Sequence, residues 1–261
     1  MLAKSIAPLA ALAGLASLAS AAGPIRIRDT IPTNVDGSQY NNPTAGPPSS
    51  WFAGDSSLPV SKIVAAVAGM NVAQPGDTYA RGTKMSKNAT IHSDWANLSK
   101  GAAYAFVADM DVDCDGIDNP CVGNDDGQDE TNFGSLAAYE VPYVVIPDRF
   151  ATQHRKELKG NNVVAVICDG KLFYGVFGDT NADSPQSIGE ASWLIANTCW
   201  PNKGMNGGMG HAADDVTYIF FTGADSVLPK TAIGKQYLTN FAALKNLGDS
   251  KMRDLVASLQ L

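Results

Sequence analysis

CDGKLFYGVFGDTNADSPQSIGEASWLIANTC, residues 168–199, carries the clearest structural signals in the chain. Its β-rich run Leu172–Phe177 predicts a strand that ends at Gly178-Asp179. The small and polar residues that follow predict a loop, and Gly189-Glu190 then predicts the start of a helix over residues 191–197. Asp179 and Glu190 would therefore lie at the two lips of one strand-to-helix loop and could face a common cleft.

The stretch begins with a hairpin signal and belongs to a β-rich middle section. Asp169-Gly170 stands between two apolar runs, which is typical of a two-residue β-hairpin turn. The candidate strands, which are rich in Val, Ile, Tyr and Phe and bounded by turn residues, are Ala102–Met110, Val141–Ile146, Val163–Cys168, Lys171–Phe177 and Val216–Thr222.

Helical signals lie mainly towards the two ends of the chain. Apolar spacing predicts a helix over Pro59–Ala68 and another over Thr231–Leu247, followed by a last helix at residues 250–260 that Asp249 would cap. Residues 71–89 are predicted to be loop. The sequence thus predicts an α+β fold: a β-rich core, open to barrel-like closure, with peripheral helices at the N- and C-terminal ends.

The N-terminal residues have the pattern of a secretory signal peptide. Lys4 precedes the apolar run Ile6–Ala19, and Ala19-Ser20-Ala21 matches the small-residue cleavage pattern. We therefore expect residues 1–22 to be removed and the protein to be secreted to the extracellular space. Residues 23–50, rich in Pro, Gly and Asn, are predicted to be a lead-in to a single domain at residues 51–261.

Four cysteines, Cys114, Cys121, Cys168 and Cys199, would meet an oxidising compartment after secretion. An even count there favours two disulfides, and three connectivities are possible. The local pairing Cys114–Cys121 with Cys168–Cys199 is the favoured one, because each bond closes a short loop. A zinc site is the weaker alternative, since there is no CxxC pair and the three histidines are scattered.

Charge limits the partners. The chain has 19 basic and 26 acidic residues, a net charge of −7. Loss of residues 1–22 removes Lys4 and leaves 18 − 26 = −8. This balance argues against nucleic acid and against anionic membranes as partners. It is compatible with a cationic substrate.

Asp179 and Glu190 are the candidate catalytic pair. A glycosidase needs one protonated carboxyl group that donates to the leaving oxygen and one ionised carboxylate that activates water or attacks the sugar. A structural alternative stays open: Ser187-Ile-Gly-Glu190 also fits a helix-capping box, S-x-x-E. A helix N-terminus would favour ionised glutamate, whereas a general acid needs a raised pKa.

An acidic tract runs from Asp109 to Glu130 and holds nine acids and no Lys or Arg. Alternate residues of a continued strand share a face, so we expect Asp109, Asp111 and Asp113 to project together. D-x-D-x-D-G at residues 111–116 resembles the start of an EF-hand loop. The match fails at its twelfth position, Val122, and Pro120 interrupts it, so a calcium site of another kind is the open alternative.

Three segments together resemble the fungal chitosanases of glycoside hydrolase family 75: ADMDVDCDG (108–116), FYGVFGDTNADSPQSIGEAS (173–192) and DVTYIFFTG (215–223). The resemblance implies an endo-acting, inverting hydrolase of the β-1,4 bonds of chitosan that needs no cofactor. It implies that Asp179 and Glu190 are the essential carboxylates. We expect Glu190 to be the general acid and Asp179 the base, with Asp183 as the fallback base.

The leading hypothesis is therefore a monomeric, extracellular endo-chitosanase with residues 51–261 as its catalytic domain. We expect subsite carboxylates at Asp109, Asp111, Asp113 and Asp183, and no metal. One alternative is a calcium-dependent extracellular glycan-binding module without catalysis. The other is a glycosidase that acts on a different glycan.

Overall fold

The structure is a computed structural model that describes residues 30–124 and 127–261. The predicted signal peptide, residues 1–22, lies outside the described residues. Ile31–Leu261 form one compact unit. Within it, residues 31–50 contain two short 3₁₀ turns, Gly37–Gln39 and the beginning of Ser49–Trp51. The Trp51 ring packs 5.2 Å from that of Phe241, which fastens this segment to the rest of the unit.

The described residues form nine strands and four α-helices. In chain order they are α1 Val60–Ala68, β1 Thr78–Arg81, β2 Asn88–Thr90, β3 Ala103–Asp113, β4 Tyr143–Pro147, α2 Asp148–Gln153, β5 Val163–Cys168, β6 Lys171–Asn181, β7 Ser187–Ile188, β8 Glu190–Ser192, α3 Trp193–Cys199, β9 His211–Phe221 and α4 Phe241–Leu259.

Six strands close into a barrel in the order β3-β8-β4-β6-β5-β9. β3 pairs antiparallel with β9 and parallel with β8, and β4 pairs antiparallel with β8 and parallel with β6. β5 completes the closure through antiparallel pairing with β6 and β9. Closure leaves these strands without open edges. The predicted α+β fold with a barrel-like core and peripheral helices is confirmed.

The core is built from apolar side chains that the strands bury. Phe106 on β3 stacks on Tyr218 of β9, with ring centroids 4.6 Å apart, and Phe177 of β6 meets Phe220 edge-on at 6.2 Å. Each such pair adds about 0.5–1.5 kcal/mol to the burial of the rings. This packing holds β3, β6 and β9 in fixed positions and supports the acidic ends of β3 and β6.

The Asp169-Gly170 turn between β5 and β6 is as the sequence predicts. Cys168 pairs with Lys171 across the hairpin. Asp169 and Gly170 have φ values of 48° and 69°. Two consecutive positive φ angles are the signature of a type I′ turn, which Asp-Gly favours.

Several of the predicted boundaries are wrong, including the start of β9, which lies at His211 and not at Val216. β6 continues to Asn181, so Asp179 lies within a strand and not after it. Glu190 belongs to the short strand β8, and helix α3 begins only at Trp193. Residues 71–89 are not entirely loop, because β1 and the start of β2 lie there. β1 pairs with β2 and with β7 in a separate three-stranded sheet.

The C-terminal helix also differs from the prediction. One helix, α4, spans residues 241–259, and the side chain of Asn240 caps it by accepting the Ala243 N–H at 2.8 Å. Gly248 does not end the helix. It allows close packing, because a Cβ atom there would lie 2.4 Å from Cγ of Tyr174. Asp249 is likewise inside the helix, where it accepts the Tyr174 hydroxyl at 2.8 Å.

Two disulfides are present, Cys114–Cys121 and Cys168–Cys199, which is the local pairing that the sequence favoured. The first closes the loop directly after β3. The second joins the end of β5 to the end of α3. Within residues 30–124 and 127–261, none of the helices combines the length and apolar character needed to cross a bilayer.

Candidate active site

Four residues form a lateral row across adjacent barrel strands. Asp111 of β3 is paired with Glu190 of β8, Glu190 with Val145 of β4, and Val145 with Asp179 of β6. Paired residues on neighbouring strands project to the same face. The fold therefore brings Asp179 and Glu190 to one face with one strand between them, and their backbones are about 10 Å apart at normal strand spacing.

This row forms part of a cleft of about 230 Å³. The ends of β3 and β6 and the start of β8 surround it, together with loop residues 123, 124, 127, 128 and 207. Its lining includes six acids and no Lys or Arg among the described residues; the acids are Asp111, Asp113, Asp115, Asp179, Asp183 and Glu190. The cleft is thus a strongly negative environment that attracts cations.

Glu190 is held by two polar side chains. The Ser187 hydroxyl donates to Oε1, and the Asn181 amide donates to Oε1 and Oε2 at 3.4 and 3.5 Å. Burial raises the pKa of Glu190 to about 7, and the negative charges of Asp111 and Asp183 add to the rise. The two hydrogen bonds oppose this effect without cancelling it. Glu190 can therefore hold a proton near neutral pH.

Asp179 is bound by backbone donors instead. Its Oδ1 accepts the N–H groups of Asn132 at 2.9 Å and Thr180 at 2.8 Å. Burial raises the pKa of Asp179 to about 7 in spite of these bonds, and Asp115 contributes to the rise. Backbone N–H donors stabilise the ionised carboxylate specifically. The surroundings of Asp179 suit a base better than those of Glu190 do.

Asp113 and Asp115 lie beside Asp179. One carboxylate oxygen from each of these three residues falls within 4.8 Å of the others, a spacing that could hold a metal ion. Burial, with the charges of Asp115 and Asp179, raises the pKa of Asp113 well above its usual value. Three close carboxylates cannot all be ionised without a cation nearby. This cluster could hold either an ammonium group or a divalent ion.

The other predicted substrate-binding acids separate into two groups. Asp111 and Asp183 line the cleft, and burial with the Asp109 charge raises the pKa of Asp111. Asp109 does not reach the cleft. Its side chain is fully buried and accepts the N–H of Thr83 at 3.1 Å and the Thr83 hydroxyl. Thr83 and Gly189 cover this carboxylate, since a Cβ atom at Gly189 would lie 2.6 Å from Asp109 Oδ1. The extra residues at the register shift opposite Ala108 and Met110 belong to β9 and not to β3.

The capping-box alternative for Glu190 is half right. Ser187 does bond to Glu190, but through the two side chains and outside any helix. The conflict between a helix N-terminus and a raised glutamate pKa therefore disappears. Glu190 lies in β8, before the N-cap residue Ser192 of α3, and its carboxylate accepts hydrogen bonds from Ser187 and Asn181.

Sequence reasoning missed two residues that shape the site. Asn181 donates to Asp183 at 3.1 Å as well as to Glu190, and its Oδ1 accepts the Ser187 N–H at 2.9 Å. Its place two residues beyond Asp179 on the same strand was the available signal. Gly82 lies against the row: a Cβ atom there would fall 2.8 Å from Cβ of Asp111 and 3.3 Å from Cγ of Glu190. Nothing in the sequence marks that contact.

A pair of carboxyl groups that line one cleft is the catalytic arrangement that glycoside hydrolases use. The sequence profile of one such family, described as fungal chitosanase of glycosyl hydrolase group 75, matches residues 110–254. The chain belongs to this family. The matched range contains the row from Asp111 to Glu190.

Known relatives agree with this assignment. Endo-chitosanase C from Aspergillus oryzae is 54% identical over 227 residues, which cover 87% of this chain and 60% of the relative. Endo-chitosanase B from Aspergillus oryzae is 36% identical over 180 residues, 61% of this chain and 71% of the relative. An endo-chitosanase from Aspergillus fumigatus is 37% identical over 169 residues, which cover 57% of this chain and 69% of the relative. The chain thus spans about 60% of the length of endo-chitosanase C.

Proposed function

We propose that this chain is a secreted endo-chitosanase that cleaves the β-1,4 linkages between glucosamine units of chitosan with inversion of configuration. The observation that carries the proposal is the placement of Asp179 and Glu190 on β6 and β8, on either side of β4, in a cleft lined by acids. Family membership and the chitosanase names of the relatives support the substrate.

The separation of the two acids favours inversion. Inverting glycosidases keep their carboxyl groups roughly 6.5–9.5 Å apart so that a water molecule fits, whereas retaining enzymes need about 5–5.5 Å. Acids on directly adjacent strands would begin about 4.8 Å apart, and an intervening strand doubles that distance. Side chains that lean inward from about 10 Å reach the inverting range.

The surroundings of each acid suggest its role. We assign Glu190 as the general acid, because burial raises its pKa to about 7 and the neighbouring charges of Asp111 and Asp183 add to the rise. It would donate that proton to the glycosidic oxygen as the bond to the anomeric carbon breaks. Asp179, with two backbone N–H donors, would accept a proton from water as the water oxygen bonds to the anomeric carbon from the opposite face. Asp183 is exposed and stays the fallback base.

The remaining cleft acids are proposed to bind the ammonium groups of the substrate. Asp111, Asp113 and Asp183 line the cleft, and Asp115 joins them. A buried carboxylate whose pKa is raised by its neighbours is stabilised when a cation arrives. We assign Asp109 a positioning role instead, because it is buried and holds Thr83.

The two disulfides support a secreted protein, because such bonds persist in oxidising compartments. We also propose that the protein is a monomer in solution. Size-exclusion chromatography tests the second point: elution at the volume of a protein larger than the monomer would contradict it.

The carboxylate cluster of Asp113, Asp115 and Asp179 favours one other candidate function, calcium-dependent binding of a glycan without catalysis. One experiment separates the two. Release of reducing ends is followed from chitosan and from fully acetylated chitin, each with and without a chelator. We expect rapid release from chitosan, little from chitin and no effect of the chelator. Binding of chitosan that the chelator abolishes, without any release of reducing ends, would contradict the proposed activity.

A further inference from the structure

A second cavity lies next to the cleft. It measures about 400 Å³ and is lined by residues 78–80 of β1, by Arg149 at the start of α2 and by residues 183–186. Asp183 lines both this cavity and the acidic cleft. Asn181, which donates to Asp183 at 3.1 Å and to Glu190 at 3.4 Å, joins the shared wall to the proposed general acid. A polymer that leaves the cleft past Asp183 would enter this cavity.

Arg149 is held in place on the cavity wall by several contacts. Its guanidinium carbon lies 4.8 Å from the centroid of the Tyr79 ring, and its Nε donates to the Tyr79 hydroxyl at 3.3 Å. Its Nη2 donates to the carbonyl of Gly76, and its backbone N–H donates to Gln186 Oε1 at 3.1 Å. Nη1 has no hydrogen-bond partner within residues 30–124 and 127–261. The cation is thus fixed, with donor capacity left for a ligand.

The lining of this cavity differs in charge from that of the cleft. The cleft presents six acids and no basic residue within the described chain, whereas the adjoining cavity presents the cation of Arg149 and, on the wall it shares with the cleft, the single acid Asp183. The two charges balance, so away from Asp183 the cavity offers a cationic donor and not a carboxylate. A glucosamine ammonium group that approached Arg149 would meet a like charge. The acetamide group of an N-acetylglucosamine unit is neutral, and its carbonyl oxygen can accept a hydrogen bond from a guanidinium group.

We propose that this cavity is a substrate subsite for an N-acetylated glucosamine unit and that Arg149 determines the preference. The proposal rests on the function proposed above, since it concerns the same polymer. Under it, the enzyme accepts partially acetylated chitosan with an acetylated unit next to the deacetylated units in the cleft. Arg149 binds the acetamide carbonyl and disfavours an ammonium group at that position.

The test compares two substrates of matched chain length, one fully deacetylated chitosan and one chitosan with about a third of its units acetylated. The quantity measured is the ratio of kcat/KM on the acetylated polymer to kcat/KM on the deacetylated polymer. Arg149→Met removes the charge and the donors. It should lower this ratio about tenfold, the effect of losing one hydrogen bond to a charged group. Arg149→Glu should lower the ratio further, because its carboxylate attracts ammonium.

Arg253→Met is the matched control. Arg253 lies on α4 with an exposed ion pair to Asp55 and lines neither cavity. Its substitution should leave the ratio at the wild-type value. Melting curves for all variants establish that each is folded at the assay temperature, and Arg149→Lys, which keeps the charge, provides an intermediate if Arg149→Met is unstable.

Separate outcomes contradict the two proposals. If the wild type hydrolyses chitosan and both Arg149→Met and Arg149→Glu keep the wild-type ratio, the subsite is wrong and the proposed function stands. If the wild type hydrolyses neither polymer, the proposed function is wrong and the subsite falls with it. End-group analysis of the products gives an independent check: acetylated units should be enriched at one fixed position from the cleaved bond, and Arg149→Met should reduce that enrichment.

Discussion

Asp179 and Glu190 are both cross-strand neighbours of Val145, one through the parallel pairing of β6 with β4 and the other through the antiparallel pairing of β8 with β4. The backbone itself therefore sets the distance between the two acids. Flexible loops have no part in it. The strand between them, β4, is buried in the barrel, and Val145 is only 3% exposed. β4 is therefore a rigid spacer between the proposed acid and the proposed base.

Removal of either acid should abolish most of the activity without loss of the fold. Asp179→Asn and Glu190→Gln, each made alone, should lower kcat on chitosan by about 10²- to 10⁴-fold, the usual contribution of one acid or base. Their melting temperatures should equal or exceed that of the wild type, because each change removes a buried ionisable group. Asp169→Asn is the control, since Asp169 is exposed in the β5–β6 turn and Asn tolerates its positive φ. Near-normal turnover by either active-site variant would remove that residue from the mechanism.

Ser187→Ala should reveal which role Glu190 plays. The Ser187 hydroxyl bond lowers the pKa of Glu190, so its removal raises that pKa above about 7. A general acid must be protonated, and its limb of the pH profile is the alkaline one. If Glu190 is the acid, the alkaline limb of kcat/KM moves to higher pH while the acidic limb stays.

The same pH profile of Ser187→Ala can also contradict the assignment of Glu190 as the acid. A movement of the acidic limb alone would make Glu190 the base and exchange the proposed roles. Because burial raises the pKa values of both Asp179 and Glu190 to about 7, activity should fall as pH rises through that region and the proton of the acid is lost. Activity should also fall at lower pH, where the base is protonated.

Gly82→Ala should disturb the acids from outside the row. The new methyl group would fall 2.8 Å from Cβ of Asp111 and 3.3 Å from Cγ of Glu190, closer than ordinary van der Waals contact. We expect about a tenfold loss in kcat, since small displacements of a reacting group are costly. Gly234→Ala is the control, because the nearest atom to its added Cβ is 3.8 Å away. Equal kcat for the two variants would show that Gly82 does not position Glu190.

Glu140 should make the protein less stable at alkaline pH. It is fully buried, and burial raises its pKa to about 8. The folded chain then binds this proton more tightly than the unfolded chain does, so the free energy of unfolding decreases as pH rises from about 4.5 towards 8. Glu140→Gln has no proton to lose and should be more stable than the wild type at pH 8 by about 1–3 kcal/mol.

Thermal unfolding at several pH values checks this expectation. The melting temperatures of wild type and Glu140→Gln should converge in acid and diverge as pH rises. Glu157→Gln, a change at an exposed residue, should follow the wild type at every pH. A parallel pH dependence for wild type and Glu140→Gln would mean that Glu140 is not the group responsible.

Local sequence signals predicted the parts of the fold that depend on local physics. The Asp169-Gly170 turn and strand β5 depend on contiguous residues, and the Cys114–Cys121 disulfide joins cysteines 7 positions apart; all three are present. The favoured Cys168–Cys199 bond is present as well, although it joins cysteines 31 positions apart. β8 could not be predicted this way. It has only three residues, and it is a strand because β3 and β4, distant in the chain, pair with it on both sides.

The sequence predicted some residues of the site and missed others. Asp179 and Glu190 stand out because Gly-Asp and Gly-Glu flank a polar loop, and that signal is in the chain itself. Asp109 was expected beside Asp111 in the cleft from strand alternation, but Thr83 and Gly189, which are distant in the chain, cover its carboxylate. Gly82 and Arg149 reach the site through β1 and α2, and only the tertiary fold brings those elements there.

The anomeric configuration of the first products tests the central claim most directly. Proton NMR is recorded during the first minutes of chitosan hydrolysis, before mutarotation equilibrates the new reducing ends. Because β4 separates the backbones of Asp179 and Glu190, we expect the wider carboxyl spacing of an inverting enzyme, and β-linkages should give α-anomers first. β-Anomers as the initial product would show that the two acids act at short range through a covalent intermediate, and would contradict this expectation.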